Sequence, residues 1–377
     1  MKSLRRRSAS HPGGLGPILV IAAACLVSAS CARPPLRIGY LGPLTGRLSD
    51  LGVSGRNGAV SAVEERNGRG GIRGRKVELV SEDDIQDPVA AADAFDRLRK
   101  AGVAAVVGPM TSDIALAVLD AAGEAEIPLV SPTASTPKLT GLDDYFLRVN
   151  PPDLSEAVSL AGFAAEAGFG KVAAVYDLAN RSFSERLAQE FSKTFLRSGG
   201  RTTLLPFDSS TSPSYSSLAR RILEESPEAL LIIAGTADTA ALAQQLSRAG
   251  YAGTLYGTGW AMTSELVRNG GNAVEGMVFS HYFDQESGDP RWTAFAESYR
   301  TRFGSVPDFV AGLGYIAARV ILDSMETAGT RDVRGSILRI SRFEGLQGTV
   351  TLDRYGDAEL ERFRIVLRNG RFRITVP

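Results

Sequence analysis

Residues 108–112, with the sequence GPMTS, combine a hydroxyl side chain with the predicted start of a helix. An apolar run ends before this segment, and an amphipathic stretch begins at Ser112. The first turn of a helix leaves backbone N–H groups without intrahelical partners, and together with the helix dipole these groups attract an anion. A hydroxyl at that point suits a bound carboxylate, but it equally suits a plain N-cap. From the residues alone, the cap is the simpler interpretation of Ser112.

A second cluster of hydroxyl residues, SPTASTP at 131–137, also follows an apolar run. Such Ser, Thr and Pro clusters are ordinarily only loops. The acidic run Glu82-Asp83-Asp84 lacks the spacing of a metal-binding loop. Asp84 could line the rim of a cleft, but a solvated turn is the simpler interpretation there. Neither segment can therefore be assigned a function from its residues alone.

The scarcity of His and Cys excludes several kinds of site. The chain has two His and two Cys, and outside the N-terminal segment that holds His11, Cys25 and Cys31 only His281 remains. Zinc sites, disulfide scaffolds and Cys–His nucleophile pairs are therefore not expected. Neither a G-x-x-x-x-G-K-[ST] loop nor a G-x-G-x-x-G motif opening a helix after a strand is present. We expect no metal and no cofactor, and an enzyme is disfavoured.

The charge balance argues against nucleic-acid binding. Lys plus Arg and Asp plus Glu each total 42, but residues 1–30 contain four basic side chains and no acid, which leaves 38 basic and 42 acidic side chains in the rest of the chain. Phosphate binding needs clustered Lys and Arg. The basic stretch at 66–76 is interleaved with Gly and is predicted to form a turn. No nucleic-acid partner is expected.

The N-terminus has the layout of an export signal. Arg5, Arg6 and Arg7 precede an apolar run at 15–27, which is followed by the small residues at 28–30. The run is shorter than the roughly 20 residues that span a membrane. We therefore predict a signal peptide at residues 1–30, with a short anchor helix as the alternative.

Cys31 follows the small residues directly, as the lipidated Cys of a lipoprotein does. A Leu is usual three residues before such a Cys, whereas Ser28 occupies that position here. Cys25 is a weaker candidate because it interrupts the apolar run. Lipidation at Cys31, with the membrane contacted through that anchor only, is our prediction. The alternative is simple cleavage near Ser30 or Ala32, which would leave a soluble periplasmic protein.

Short apolar runs alternate with amphipathic stretches along most of the chain, which at 377 residues is long enough for two domains. This alternation predicts doubly wound α/β layers with parallel sheets, and the C-terminal end alternates as β structure. Helices are predicted at 52–67, 88–100, from 112, 153–167, 184–197, 289–303 and 309–328, with further helices between the strands at 202–205, 229–233 and 254–256. Strands are predicted at 36–41, 77–80, 104–107, 127–130, 172–176, 202–205, 229–233, 254–256, 277–280, 348–352, 363–367 and 372–376.

A series of short motifs then gives a family resemblance. It comprises IGYLGPLTG at 38–46, NGA at 57–59, NGRGGIRGRK at 67–76, EDD at 82–84, DP at 87–88, VVGP at 106–109 and LVSP at 129–132. In this order the series resembles the periplasmic branched-chain amino-acid binding proteins of ABC transporters. The resemblance extends from about residue 36 to the C-terminus.

The resemblance implies a type I periplasmic binding fold, with two Rossmann-like α/β lobes joined by a three-strand hinge. Matching the family's crossovers predicts lobe 1 at residues 36–152 and 283–362 and lobe 2 at residues 153–282 and 363–377. It also implies a non-enzymatic protein that carries a small-molecule ligand to an ABC transporter permease. The carboxyl ends of the strands in such lobes form a natural ligand crevice.

The resemblance assigns the carboxylate half of a ligand site. The family's carboxylate-binding position after the third strand falls on Ser112, with Met110 in the same segment. Its second ligand loop places a hydroxyl at Ser135, with Ala134 beside it.

The amino half of the site departs from the family pattern. Asp153 matches one family acid and could also be a helix N-cap, whereas Gly259 falls where a second acid is usual, next to Thr258. This departure weakens the expected preference for an α-amino group. A charged hydrogen bond contributes about 1.5–3 kcal/mol, so the loss corresponds to roughly one to two decades in affinity.

The implied side-chain pocket is less polar than that of a leucine binder. Phe183 replaces the usual Tyr, Leu51 replaces an aromatic residue, and another aromatic position falls near Thr236. Trp260 could fill the pocket or stack on a ring, or it could be a core residue. His281 is predicted to be a hydrogen-bonded hinge residue.

We therefore expect a binding protein for a small carboxylate, with an apolar amino acid as the first candidate. An aromatic or aliphatic acid without an amino group is the alternative ligand. A ligand-binding sensor or regulator of the same fold is the alternative function; a receptor would need a membrane-spanning segment after the ligand domain, which we do not expect.

Overall fold

The computed structural model describes residues 34–152 and 154–375. The predicted signal peptide, Cys31 and Asp153 lie outside the described residues. Within them, none of the helices combines the length and the apolar character needed to cross a membrane.

The described chain alternates strands and helices as the sequence predicts. The strands are β1 Leu36–Gly42, β2 Val77–Asp83, β3 Val106–Val107, β4 Leu129–Ser131, β5 Phe146–Arg148, β6 Lys171–Asp177, β7 Arg201–Phe207, β8 Ala229–Ile233, β9 Thr254–Gly257, β10 Val278–His281, β11 Arg342–Gly345, β12 Gly348–Leu352, β13 Ala358–Glu359, β14 Phe363–Arg368 and β15 Arg371–Ile374. The helices are α1 Ser49–Gly68, α2 Pro88–Lys100, α3 Ser112–Glu124, α4 Leu154–Glu166, α5 Arg181–Arg197, α6 Tyr215–Glu224, α7 Thr236–Arg248, α8 Ser264–Gly270, α9 Pro290–Phe303, α10 Phe309–Ala328 and α11 Val333–Ile340. Short 3₁₀ turns fall at residues 137–139, 178–180, 209–211, 259–261 and 271–274.

The first sheet has the strand order β2-β1-β3-β4-β5, and its strands pair in parallel. Its strands are fully buried at Ile38, Val107 and Val130, because parallel strands are covered by helices on both faces. The order reverses between β1 and β3, which places a topological switch point at their carboxyl ends. We call this sheet and the helices packed on it the first lobe.

The second sheet repeats that order. Its strands run β15-β14-β10-β9-β8-β6-β7, so β7-β6-β8-β9-β10 reproduces the first lobe's arrangement in parallel pairs. The strands β14 and β15 extend it with antiparallel pairs, as the alternating C-terminal pattern predicts. We call this sheet and its helices the second lobe. The predicted fold class, two α/β lobes of the type I periplasmic binding kind, is confirmed, and the repeat is one of topology that direct sequence matching does not show.

The chain passes three times between the two sheets. It leaves the first after β5, returns to the first lobe after β10, where α10 packs on α1, and enters the second sheet again at β14. Among the described residues, these passages fall within 149–152, 282–289 and 360–362. The lobe boundaries at the level of single residues remain a prediction.

A few elements were not predicted. They are β5, α8, α11 and the strands β11 and β13, which pair on either side of the predicted β12 in a small antiparallel sheet. The strand β5 ends on Arg148, which is fully buried and donates from Nε to Oδ1 of Asp357 at 2.7 Å. Because one of the three residues of β5 is charged, the strand shows no apolar pattern in the sequence. The buried charge of Arg148 is compensated by Asp357, a residue far along the chain.

Candidate functional site

A cavity lies where the carboxyl ends of the strands of both lobes meet. Together with the solvent space at its mouth it comprises about 490 Å³. We call it the cleft cavity. Its described lining residues are Leu51, Met110, Thr111, Ser112, Thr133, Ser135, Asn150, Glu156, Asn180, Phe183, Gly259, Trp260, His281, Tyr282, Phe309 and Arg362.

The two hydroxyl segments singled out in the sequence meet in the first lobe. Ser112 Oγ accepts hydrogen bonds from the backbone N–H groups of Ser135 at 3.3 Å and Thr136 at 3.2 Å. Because both lone pairs of this oxygen already accept, the Ser112 hydroxyl can bind a further group only by donating its hydrogen. Thr111, and not Ser112, is the N-cap of α3, so Ser112 is the first helical residue. Its hydroxyl is thereby oriented as a donor at the start of a helix.

The loop that carries Ser135 is held in place by Arg148. The buried guanidinium donates from Nη1 to the carbonyl of Thr136 at 3.0 Å and from Nη2 to Oγ1 of Thr140 at 2.8 Å. Its Nε is engaged by the ion pair with Asp357. Rigid support of this kind keeps the hydroxyls and N–H groups of the loop in a fixed geometry.

An apolar wall faces these polar groups. Phe183 and Trp260 pack edge to face, with ring centroids 5.6 Å apart and an interplanar angle of 88°. Leu51 and Met110 contribute from the first lobe, and Phe309 contributes from the start of α10. The indole Nε1 of Trp260 has no hydrogen-bond partner among the described residues. This wall can accommodate an aliphatic or an aromatic group.

The second lobe adds a buried carboxylate to the cavity. Glu156, in the first turn of α4, is only 3% exposed, and its Oε1 accepts from the backbone N–H of Gly259 at 2.8 Å. Nη2 of Arg362 lies 3.9 Å from Oε2 of Glu156. Arg362 also donates to Oγ of Ser155 and to the carbonyl of Ser280, both at 2.9 Å. A buried carboxylate beside a buried guanidinium makes this corner polar but close to neutral in charge.

His281 presents a hydrogen-bond donor to the same corner. Burial, with the nearby positive charge of Arg362, holds the pKa of its imidazole well below the usual range, so the ring is neutral. The backbone N–H of Phe283 donates to Nδ1 at 3.1 Å, which assigns the ring hydrogen to Nε2. The ring stacks on Tyr282 and contacts Phe309 edge-on. His281 is the hydrogen-bonded hinge residue that was expected, and it also lines the cavity.

The hinge passages are tied to one another beneath the cavity. The hydroxyl of Tyr282 donates to Oδ1 of Asn150, and Nδ2 of Asn150 donates to the carbonyl of Thr133 at 2.8 Å. These bonds connect the first passage, the second passage and the loop after β4. A ligand that contacts any of these residues therefore also contacts the hinge.

The structure brings together most of the predicted ligand residues. Those that line the cavity are Met110, Ser112, Ser135, Phe183, Gly259 and Trp260. Three others are buried outside its lining: Ala134 packs in the core of the first lobe, Thr236 Oγ1 lies 3.1 Å from Oγ1 of Thr263, and Thr258 is fully buried. Asp153 is not among the described residues.

Sequence reasoning missed Glu156 and Arg362, and it misplaced Asp84. Glu156 shares a helix face with Leu160 and Ala164, which are fully buried, so a charge in the apolar stripe of α4 was the available signal. The turn expected to be solvated instead buries Asp84 completely. The residues next to Asp84 in the sequence do not indicate that it is buried.

Comparisons with known proteins agree with this architecture. The sequence profile of the periplasmic binding protein family matches residues 35–358. The chain is 28% identical over 352 residues to Leu/Ile/Val-binding protein homolog 3 of Brucella melitensis, covering 91% of this chain and 94% of the relative.

Solved structures give the same result. A leucine-binding protein from Thermotoga maritima superposes with a TM-score of 0.83 at 27% identity, covering 90% of this chain and 98% of that one. A solute-binding protein of an ABC transporter from R. palustris, in complex with benzoate, has a TM-score of 0.81 at 18% identity, covering 90% of this chain and 95% of that one, and so shows the shared fold alone.

Periplasmic binding proteins bind solutes outside the cytoplasm and catalyse no reaction, and the predictions of the family and of a non-enzymatic role are confirmed. With its double α/β architecture, its cleft cavity and a profile match over most of its length, the chain belongs to the periplasmic binding protein family.

Proposed function

We propose that this chain is the extracytoplasmic substrate-binding protein of an ABC transporter, and that it binds a small carboxylate, an apolar amino acid, in the cleft cavity. The observation that carries the proposal is the donor geometry of Ser112, at the start of α3 and opposite the apolar wall of Phe183 and Trp260. The curated relative named for Leu, Ile and Val binding supports the same ligand class.

The first lobe would hold the ligand's carboxylate. Ser112 would donate its hydroxyl hydrogen, and the backbone N–H groups at the start of α3 would add the favourable end of the helix dipole. The site is largely removed from water, and hydrogen bonds to a charged group there contribute about 1.5–3 kcal/mol each.

The apolar wall would hold the ligand's side chain. Fully burying a side chain the size of Leu or Ile contributes about 1.5–3 kcal/mol. Because Phe183 and Trp260 belong to the second lobe and Leu51 to the first, the side chain would contact both lobes. A ligand that touches both lobes favours the closed arrangement, which a permease would recognise.

An acid without an amino group is the second candidate ligand. Gly259 favours this candidate, because it leaves the loop after β9 without an acid. The edge-to-face pair of Phe183 and Trp260 beside it suits a ligand with an aromatic ring.

The proposal is tested by thermal-shift screening of the mature protein against apolar amino acids and their desamino analogues, followed by calorimetric titration. Ser112→Ala should weaken every carboxylate ligand by about tenfold, the equivalent of roughly 1.4 kcal/mol. Ser216→Ala, at an exposed serine of α6, is the matched control and should leave affinity unchanged. Equal affinities in wild type and Ser112→Ala would place the carboxylate elsewhere.

We also propose that the protein is lipid-anchored through Cys31, in accord with the order of basic, apolar and small residues before it. Expressed in a bacterium, the wild type should incorporate labelled fatty acid and fractionate with membranes. Cys31→Ala should lose the label, whereas Cys25→Ala should keep it. Wild-type protein found unlabelled in the periplasm would reject the anchor and leave export intact.

A further inference from the structure

Glu156 is the acidic side chain among the described residues that line the cleft cavity. It lies in the first turn of α4 in the second lobe, and only 3% of its surface is exposed. Burying a carboxylate costs several kcal/mol unless cations and hydrogen bonds compensate. A buried acid at a cavity wall is therefore a candidate for ligand recognition, provided that the geometry aims it at the cavity.

The geometry places the Glu156 carboxylate beside the loop after β9. Its Oε1 accepts from the backbone N–H of Gly259 at 2.8 Å. A Cβ atom at Gly259 would lie 2.7 Å from Cδ2 of His281 and 3.8 Å from Oε1 of Glu156. The imidazole thus excludes any side chain at position 259, and the carboxylate that borders this space comes from α4 instead.

Two neighbouring polar groups in this corner, His281 and Arg362, present donors and do not accept a hydrogen bond from an ammonium group. The neutral ring of His281 carries its hydrogen on Nε2, because Nδ1 already accepts from Phe283. Arg362 is a cation and only donates. A carboxylate, in contrast, only accepts, and its two oxygens provide about four lone-pair sites.

We infer that Glu156 accepts the hydrogen bond of the ligand's α-amino group, so that the cleft cavity selects zwitterionic amino acids over acids without an amino group. The inference rests on the proposed function, and it names the specificity-determining residue of that site. The negative charge of Glu156 faces the positive charge of Arg362, with Oε2 and Nη2 3.9 Å apart. A zwitterion, which is neutral overall, fits this arrangement with its ammonium at Glu156 and its carboxylate at Ser112.

The test compares leucine with 4-methylpentanoate, which has the same carbon skeleton without the amino group, by calorimetric titration of the mature protein. Glu156→Gln keeps the shape of the side chain and an oxygen that accepts from Gly259, but it removes the charge. It should weaken leucine by about 10- to 100-fold, as expected for the loss of a charge-assisted hydrogen bond. It should change the affinity for 4-methylpentanoate less than twofold.

Two further variants test whether the preference for leucine depends on the charge of Glu156 or on that of another acidic side chain. Glu166→Gln is the matched control, because it removes one charge from the exposed end of the same helix and should change neither affinity. Asp153→Asn tests the acid that family resemblance suggests. If Asp153→Asn removes the preference for leucine and Glu156→Gln does not, the amino group binds at Asp153 and the inference is wrong.

The wild-type protein keeps the inference falsifiable even if Glu156→Gln fails to fold. It should bind leucine at least tenfold more tightly than 4-methylpentanoate. Similar affinities for the two, or binding of 4-methylpentanoate alone, would overturn the role of Glu156 while the carboxylate site stands. Binding of neither compound, nor of any apolar amino acid, would overturn the proposed function and the inference with it.

Discussion

At the scale of single residues, Asp84 has a fully buried carboxyl group and lies directly after β2. Its Oδ1 accepts from the N–H of Gln86 at 2.9 Å, and its Oδ2 has no partner among the described residues. Burial raises the pKa of this carboxyl to about 7, although the bond from Gln86 opposes the shift. Nε2 of Gln86 donates to Oγ1 of Thr111 at 3.0 Å, so the turn that holds Asp84 also supports the cavity.

The pKa of Asp84 predicts a stability that falls as pH rises. The folded state keeps a proton that the unfolded state, with an ordinary Asp pKa near 3.8, releases. The contribution of Asp84 to the free energy of unfolding is therefore fully present below about pH 4 and is lost progressively towards about pH 7. A shift of this size corresponds to about 4 kcal/mol at most.

Urea unfolding of wild type and Asp84→Asn at pH 4.5, 6 and 8 measures this effect. The stability of the variant relative to wild type should rise across that range, because the amide cannot ionise. Two parallel pH profiles would show that Asp84 is ionised in the folded protein at all three values.

Single residues differ in how far the sequence alone predicts their roles. The local setting of Ser112, where a strand ends and a helix begins, predicts a hydroxyl at a helix start, but it favours a plain cap, and only the family resemblance assigns Ser112 to a carboxylate site. Glu156 was missed because its burial depends on Arg362, more than two hundred residues later, and on the backbone of Gly259. Asp84 was missed for the same reason, since a run of three acids looks solvated until the fold covers one of them.

At the scale of elements, the helices α1 and α10 of the first lobe pack with their backbones in close contact. A Cβ atom at Gly58 would lie 2.0 Å from the carbonyl oxygen of Ala311, and one at Gly314 would lie 2.2 Å from that of Gly55. Backbone meets backbone at both points, so no side-chain rotation can make room. The glycines allow α10 to pack on α1, and α10 places Phe309 at the cavity.

Gly58→Ala should therefore lower the free energy of unfolding by about 1–3 kcal/mol, as overpacking of a tight interface does. Gly68→Ala in the last turn of the same helix is the control. Nothing lies within 4 Å of a Cβ atom there, and Ala has the higher helix propensity, so stability should stay the same or rise. Thermal unfolding of the three proteins decides the matter, and equal stabilities of the two variants would contradict the packing argument.

The elements that the sequence predicts best are those with local end signals. The bounds of α2 and α10 agree with the prediction at both ends. Asp87 and Asp308 cap their first turns with side-chain hydrogen bonds, and Gly102 and Gly329 come just after their last turns. The strand β13 has two residues and no pattern of its own. The strand β13 forms because its two residues pair with the edge of β12. This is a tertiary interaction that the local sequence does not predict.

At the scale of the whole molecule, the lobes contact each other directly at residues outside the cavity lining. Arg47, which follows β1, donates to Asp238 and to the hydroxyl of Tyr215 in the second lobe. Asp50 accepts from Oγ1 of Thr263 at 3.2 Å. None of these contacts needs a ligand, so they stabilise the closed arrangement by themselves and raise the apparent affinity for any ligand that binds it.

Arg47→Ala should weaken leucine and 4-methylpentanoate by the same factor, because it changes the closing equilibrium and touches neither compound. The side chain of Arg47 is 44% exposed, and ion pairs of this kind contribute about 0.2–1 kcal/mol, so a loss of up to about fivefold is expected. Arg37→Ala, which removes an exposed ion pair with Glu78 within the first lobe, is the control and should leave both affinities unchanged. Small-angle scattering of the ligand-free proteins should show a larger radius of gyration for Arg47→Ala. A variant that weakens one ligand and spares the other would mean that Arg47 acts on the site, and the argument from closure would fail.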